Sequence, residues 1–239
     1  MRDPKLILFD VDGTLIDSQH MICAAMDRAY RDHGLAGPPP AAVRAIIGLS
    51  LAEAVGRLSA GTDHPVTSLV EGYKTAFQAL RLAGSVAVPL YPGARAAIDA
   101  LRRRPDVLLG VATGKSRRGV AAMIDMHKLD DIFVTIQTAD TSPSKPHPGM
   151  VLRAMAETGV EAADTVVVGD TAFDMAMARA AGACAIGVSW GYHPVADLRS
   201  AGAHEVLDDF AALPPALNRL WPPGDGAAVL SPVMVAGDA

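Results

Sequence analysis

Four short segments concentrate the residue types that do chemistry. The first, Asp10-Val11-Asp12-Gly13-Thr14, sets two carboxylates two residues apart behind the apolar run Lys5 to Phe9. Carboxylates this close repel one another unless a cation or a proton lies between them. The second, Thr113-Gly114-Lys115-Ser116, puts hydroxyls and backbone N–H groups where a strand gives way to a helix, which makes a small anion cradle. It imitates the end of a nucleotide-binding P-loop. That loop needs glycine five positions before Gly114, however, and Leu109 stands there. The third segment, Ser144-Lys145-Pro146-His147-Pro148, stiffens the backbone around a lysine with proline, which suits a point charge held in place. The fourth, Val168-Gly169-Asp170-Thr171-Ala172-Phe173-Asp174, ends an apolar run at Asp170 and puts Asp174 one turn later, facing the same end of a sheet.

Each segment also has a plainer reading. Asp12-Gly13 is a common hairpin-turn pair, Thr113 or Ser116 can cap a helix, a loop lysine is ordinarily solvated, and Thr171 with Asp174 fits a capping box. Taken together, the segments supply an acidic pair, a hydroxyl with a lysine, and a second acidic pair, all at strand ends, where ligands bind in open parallel sheets. An oxygen-rich cluster of this kind suits Mg2+, a hard ion that shares phosphate oxygens. The seven histidines show no metal-ligand spacing and take no ligand role.

The elements that must position these residues follow from periodicity. Lys5 to Phe9 reads as a buried strand. After Asp17 and Ser18, either able to cap a helix, Ile22, Ala25, Met26, Ala29 and Tyr30 share one helical face. Pro38, Pro39 and Pro40 stop that region, Ser50 with Glu53 is a capping box, and a third helix starts near Pro65. Helices therefore fill about 16–84, and 84–93 is a turn-rich connection. Strands follow at Val107 to Ala112, Ile132 to Ile136, Thr165 to Val168, Ala185 to Val188 and Glu205 to Leu207, with helices near 116–127, 148–158, 172–181, 194–201 and 209–220. Such alternation implies an α/β fold, a Rossmann-like parallel sheet flanked by helices, with an inserted all-helical cap domain. The expected division is a core of 1–14 and 89–221, a cap of 15–88 and a loose tail of 222–239.

Composition limits the rest. The chain has 239 residues, 50% apolar and 20% charged, enough to bury a core. Net charge is −5 with no basic block, which argues against a duplex nucleic-acid partner. No apolar run reaches a membrane span or a secretory signal, so no membrane partner and a cytoplasmic location are expected. Cys23 and Cys184 are far apart and suggest neither disulfide nor zinc site.

The stretches DVDGTLIDS at 10–18, ATGKS at 112–116, SKPHP at 144–148 and VGDTAFDM at 168–175 resemble the four motifs of the haloacid dehalogenase superfamily. The helical insertion looks like the cap of its phosphoglycolate phosphatase-like branch, and GVSWGYH at 187–193 is similar to a segment common there. The resemblance implies that Asp10 is the nucleophile, forming an aspartyl phosphate, and that Asp12 protonates the leaving oxygen and then activates water. It also implies that Mg2+ is held by Asp10, Asp170 and the backbone carbonyl of Asp12, with Asp174 direct or through water. Thr113, the Gly114 N–H and Lys145 would hold the phosphoryl oxygens. The implied reaction is Mg2+-dependent hydrolysis of a small phosphorylated metabolite, with 2-phosphoglycolate first among substrates. Dehalogenases of the superfamily lack the second aspartate, so Asp12 argues against that activity. A sugar-phosphate mutase or a pyrophosphatase would share these residues, and nucleoside monophosphates stay open as substrates. From other classes, a phospho-accepting signalling receiver differs in strand layout, and a catalytically idle phospholigand-binding protein stays open. Arg44, just before Ile46, is a candidate cap cation for a substrate carboxylate, set against the plainer reading of a solvated surface arginine, and the chain is expected to be a monomer or homodimer.

Overall fold

A computed structural model of the chain describes residues 3–84 and 86–221. The expected tail at 222–239 lies outside the described residues. Six strands form one parallel sheet in the order β3-β2-β1-β4-β5-β6: β1 Lys5–Phe9, β2 Val107–Thr113, β3 Thr135–Thr138, β4 Thr165–Gly169, β5 Cys184–Val188 and β6 Glu205–Leu207. Alternate residues of β1 point to opposite faces, and both faces are apolar, as a sheet covered on both sides requires. Ile7 and Phe9 pack with Ala94, Ala97, Ile98 and Leu101 of α5 (Ala94–Leu101). Leu6 and Leu8 pack on the other side with Met150 and Val151 of α7 (Gly149–Thr158) and Met175 of α8 (Ala172–Ala180). Fully burying a side chain of this size stabilises by roughly 1.5–3 kcal/mol, so β1 is anchored from both sides.

The chain leaves β1 at the sheet's middle, builds β2 and β3 on one side, then returns to place β4 against β1's other edge. The direction of winding changes there, and a crevice opens outside the strands' carboxyl ends. Asp10 follows β1, Thr113 ends β2 and Asp170 follows β4, so all three reach the same crevice.

Between β1 and β2 come α1 Gln19–Asp32, α2 Pro40–Arg44, α3 Leu51–Leu58 and α4 Val66–Ala83. They carry their own apolar cluster, in which Ile22, Met26, Tyr30, Val43, Val55 and Leu69 meet. The segments leading into and out of this block lie side by side: Asp17 N–H donates to Pro89 O and Tyr91 N–H to Leu15 O, each at 2.9 Å.

Several local expectations differ from what is found. Helix α5 was not anticipated, although Ala94, Ala97, Ile98 and Leu101 form a helical stripe. The third strand starts at Thr135, three residues later than its apolar run suggests, because Leu129 and Ile132 plug the core as loop residues and Asp131 turns the chain at φ 57°. The 209–220 helix divides into a 3-10 turn, Phe210–Ala212, and α10, Leu213–Leu220. Neither Ser18 nor Ser50 caps its helix through the side chain. The Ser18 hydroxyl donates to Asp12 Oδ1 at 2.6 Å, and Glu53 pairs with Arg57 rather than completing a capping box. The remaining helices, α6 Arg117–His127 and α9 Val195–Ser200, fall where periodicity puts them. Among the described residues no helix is long and apolar enough to cross a membrane.

Candidate active site

Asp10, Lys145, Asp170 and Asp174 meet beneath the crevice, each almost wholly buried. Lys145 Nζ donates to Asp10 Oδ1 at 2.7 Å and to Asp174 Oδ1 at 2.5 Å. Asp170 is held from two sides: the Thr14 hydroxyl donates to its Oδ1, and the Tyr192 N–H to its Oδ2, both at 2.9 Å. Asp174 sits in the first turn of α8, where the capping box anticipated from sequence forms. Its Oδ2 accepts from the Thr171 N–H at 3.0 Å and from the Thr171 hydroxyl at 2.6 Å, and its own N–H returns to Thr171 Oγ1. Capping and site-building are thus the same contacts.

Charge explains how this group behaves. Burial raises the Asp10 carboxyl to about 6, Asp174 and Asp12 add repulsion, and Lys145 opposes them. Burial, then repulsion from Asp10 and Asp174, holds Asp170 well above the usual carboxylate range. For Lys145 burial alone would lower the ammonium, but the attraction of Asp10 and Asp174 outweighs it and the group is raised. Asp10 and Asp174 therefore share the Lys145 ammonium, while the Thr14 and Tyr192 hydrogen bonds hold Asp170. One oxygen, Asp10 Oδ2, is buried with no hydrogen-bond partner. An orphaned acceptor at that depth costs about 1–3 kcal/mol unless something binds it. Ligand oxygens of Asp10, Asp170 and Asp174 lie within 4.8 Å of one another, so the donor set fits a hard divalent cation. The Asp12 carboxylate lies outside that set; Ser18 and Lys115 take it.

Above Asp10 opens a cavity of about 650 Å³ between the helical block and the sheet, lined by Asp10, Asp12, Thr113, Gly114 and Lys115 at the crevice end. Thr113 Oγ1 accepts from the Lys115 N–H at 3.3 Å, and Ser116 caps α6 by accepting from the Gly119 N–H, so both readings of that segment hold together. A Cβ at Gly114 would stand 2.4 Å from Leu49 O and 2.5 Å from Gly48 O, so only glycine lets the loop before α3 pass this close. That loop is also tied by the Ser50 N–H to Ser144 Oγ at 2.8 Å, next to Lys145.

Arg44 is not brought to the site. It is absent from the lining of the cavity, and its charge acts instead on the Cys23 thiol, partly opposing the rise that burial imposes. The cavity's cations come from other positions, among them Lys115, Arg81 and Arg118. Sequence reasoning quoted Lys115 without giving it a role, yet its Nζ contacts Asp12 Oδ1 at 2.7 Å and Oδ2 at 2.9 Å. The 187–193 stretch, known beforehand only as a likeness, supplies supports. Trp190 Nε1 donates to Thr14 O, the Tyr192 N–H holds Asp170, and the Ser18 N–H donates to the Tyr192 hydroxyl.

Known proteins resemble this chain in sequence and in fold. A probable phosphatase, IndB, of Dickeya dadantii is 36% identical over 218 residues, covering 90% of this chain and 94% of its own. A phosphoglycolate phosphatase of Pseudomonas putida is 34% identical over 221 residues, covering 89% and 79%. A hydrolase from Pseudomonas syringae superimposes with a TM-score of 0.78 at 27% identity, covering 91% of this chain and 99% of that one. The sequence pattern of the haloacid dehalogenase-like hydrolases matches residues 7–188, from β1 to the end of β5, and the chain belongs to that family.

Proposed function

We infer that this phosphoric monoester hydrolase cleaves a small phosphomonoester through an aspartyl phosphate on Asp10, with Mg2+ as its cofactor and 2-phosphoglycolate as its substrate. The observation that carries the chemistry is Asp10 itself: a buried carboxylate at the floor of a cavity, one oxygen paired with Lys145 and the other without a donor. The substrate rests on the likeness to relatives named phosphoglycolate phosphatase.

In this reading the Asp10 carboxylate attacks phosphorus, the ester P–O bond breaks, and Asp12 gives its proton to the departing alkoxide. Asp12 then takes a proton from water as the water oxygen attacks the phosphoaspartate, releasing inorganic phosphate and restoring Asp10. Thr113 Oγ1, the Gly114 N–H and the third N–H of Lys145, whose other two are spent on Asp10 and Asp174, hold phosphoryl oxygens. Asp10, Asp170, Asp174 and the Asp12 carbonyl would hold Mg2+, which when bound neutralises charge on the transferring group. The helical block 15–88 acts as a cap that excludes water.

The test is phosphate release across about fifty phosphorylated metabolites, a breadth set by how many functions one fold hosts. Many turnovers per chain are expected with Mg2+, none in chelator and none for Asp10→Asn, with 2-phosphoglycolate the best substrate. Release that persists in chelator or in the variant overturns the mechanism. A different best substrate overturns only the substrate, and release below one equivalent per chain favours a phosphate acceptor or binding protein.

A further inference from the structure

Lys115 lines the cavity beside Asp10 and Asp12 and is a charged side chain to which the proposed reaction gives no task. Its ammonium makes two contacts with the Asp12 carboxylate, at 2.7 and 2.9 Å, and lies 5.3 Å from the centre of the Phe77 ring on α4. Phe77 belongs to the helical block, so this ammonium is a point where the two sides of the cavity meet. The stem has a prepared track. A Cβ at Gly119, one turn along α6, would stand 2.7 Å from Lys115 Cγ and 3.2 Å from Cδ and Cε, so the bare glycine lets the side chain lie back along the helix toward Asp12.

A fixed clamp on Asp12 is poor chemistry, because an ammonium held on both carboxylate oxygens leaves neither free to carry a proton to the ester oxygen. The clamp makes sense if substrate exchanges it. Asp12 must come within hydrogen-bond reach of the ester oxygen, so the Lys115 ammonium lies within about 6 Å of that oxygen. A carboxylate bonded to the ester carbon falls inside this radius, and a lysine stem is flexible enough to swing to it.

We propose that Lys115 is the specificity-determining residue of the site: it reads an anionic group borne on the ester carbon, so the preferred substrates are α-phosphooxy carboxylates. The substrate carboxylate takes the place of Asp12 as partner of the Lys115 ammonium, Phe77 keeps that ammonium at the cavity wall, and the released Asp12 picks up a proton from solvent and carries it to the ester oxygen. This inference rests on the hydrolase reading above, and it assigns to the turn between β2 and α6 the part for which Arg44 was the candidate.

The experiment compares kcat/KM for 2-phosphoglycolate, for ethyl phosphate, which lacks the charge, and for phosphoethanolamine, which reverses it. Wild type is expected to favour 2-phosphoglycolate over ethyl phosphate by about 100-fold and over phosphoethanolamine by more, in line with charge-assisted contacts. Lys115→Met should collapse the first ratio to within about fivefold, mainly by raising KM for 2-phosphoglycolate, and Lys115→Arg should restore a good part of it. Calorimetric binding to the non-turning Asp10→Asn chain should show the same collapse. A wild-type ratio near one, with turnover intact, overturns the inference and leaves the hydrolase reading standing. An equal loss on both esters in Lys115→Met also overturns it, since the lysine then serves Asp12 alone. No turnover of any ester by wild type overturns the reading beneath, and this inference with it.

Discussion

Lys145 Nζ and Asp10 Oδ1 are 2.7 Å apart with both side chains closed off from solvent, and the same nitrogen reaches Asp174. An ion pair this deep is sensitive to loss of either partner, because the survivor remains as an uncompensated buried charge, at a cost of about 3–5 kcal/mol. Lys145→Met is therefore expected to lower unfolding free energy by that amount in chelator and by distinctly less in Mg2+, which would supply the missing positive charge. Phosphate release should fall at least about 100-fold even with Mg2+, the scale seen when a donor to a developing oxyanion is removed. Denaturant melts in both buffers, with turnover alongside, check this. Equal destabilisation with and without Mg2+ would mean that no cation shares the Asp10 and Asp174 charge.

Acidity should couple to metal in a direction the charges fix. With the Asp10 carboxyl raised to about 6 by burial and by Asp174, the protonated form dominates below that pH, and it neither attacks phosphorus nor ligates a cation. A raised folded-state carboxyl stabilises the chain at pH below its unfolded value near 4, and that contribution is lost as pH rises through 6. Metal-free protein is expected to lose this stability between pH 4 and 6, whereas Mg2+ stabilisation should grow over the same interval. Activity at limiting Mg2+ should have its acid limb near pH 6 and move down by at most about one pH unit per tenfold more Mg2+. An acid limb indifferent to Mg2+ would show that the titrating group is not a ligand.

The loop after β5 closes on Asp170 with no room to spare. A Cβ at Gly191 would stand 2.1 Å from the Asp170 Cβ, and one at Gly13 would stand 2.2 Å from Asp170 Oδ2. Gly191→Ala must displace either Asp170 or the Tyr192 N–H that holds it. The expected result is a Mg2+ affinity about 10–100-fold weaker, the size typical of a lost supporting contact, with phosphate release recovering at high Mg2+. Unchanged affinity by calorimetry would remove Asp170 from the proposed ligand set.

Much of the site is legible in the sequence because it is built at strand ends. Asp10, Thr113 and Asp170 each terminate an apolar run, and parallel pairing brings every such terminus to one edge whatever the side-chain details. Side chains that reach sideways are not legible in that way. Lys115 reaches Asp12 along a path that Gly119 leaves open, and Arg44, at the end of the five-residue helix α2, does not line the cavity. Helix α5 has a legible Ala94, Ala97, Ile98 and Leu101 stripe, but Pro89, Pro92 and Gly93 just before it are turn residues that mask where it starts. The Ser18 hydroxyl shows the same limit from the other side. It stands where a cap belongs, yet the nearby Asp12 carboxylate is the stronger acceptor and receives its hydrogen bond.

Thr171 joins helix stability to the acidic cluster, and one substitution reads both. Its hydroxyl donates to Asp174 Oδ2 at 2.6 Å while its oxygen accepts from the Asp174 N–H, so Thr171→Val keeps the shape and removes both contacts. Loss of a helix N-cap costs about 1–2 kcal/mol. Asp174 Oδ2 would keep only the Thr171 N–H, and the carboxylate would gain freedom to rotate between Lys145 and the Asp10–Asp170 side of the cluster. The expected outcome is a fall in unfolding free energy of about 1–2 kcal/mol together with a roughly tenfold loss of Mg2+ affinity, whereas Thr171→Ser should recover most of both. If stability falls while Mg2+ affinity holds, the Thr171 hydroxyl is a helix cap alone, and Asp174 owes its orientation to Lys145.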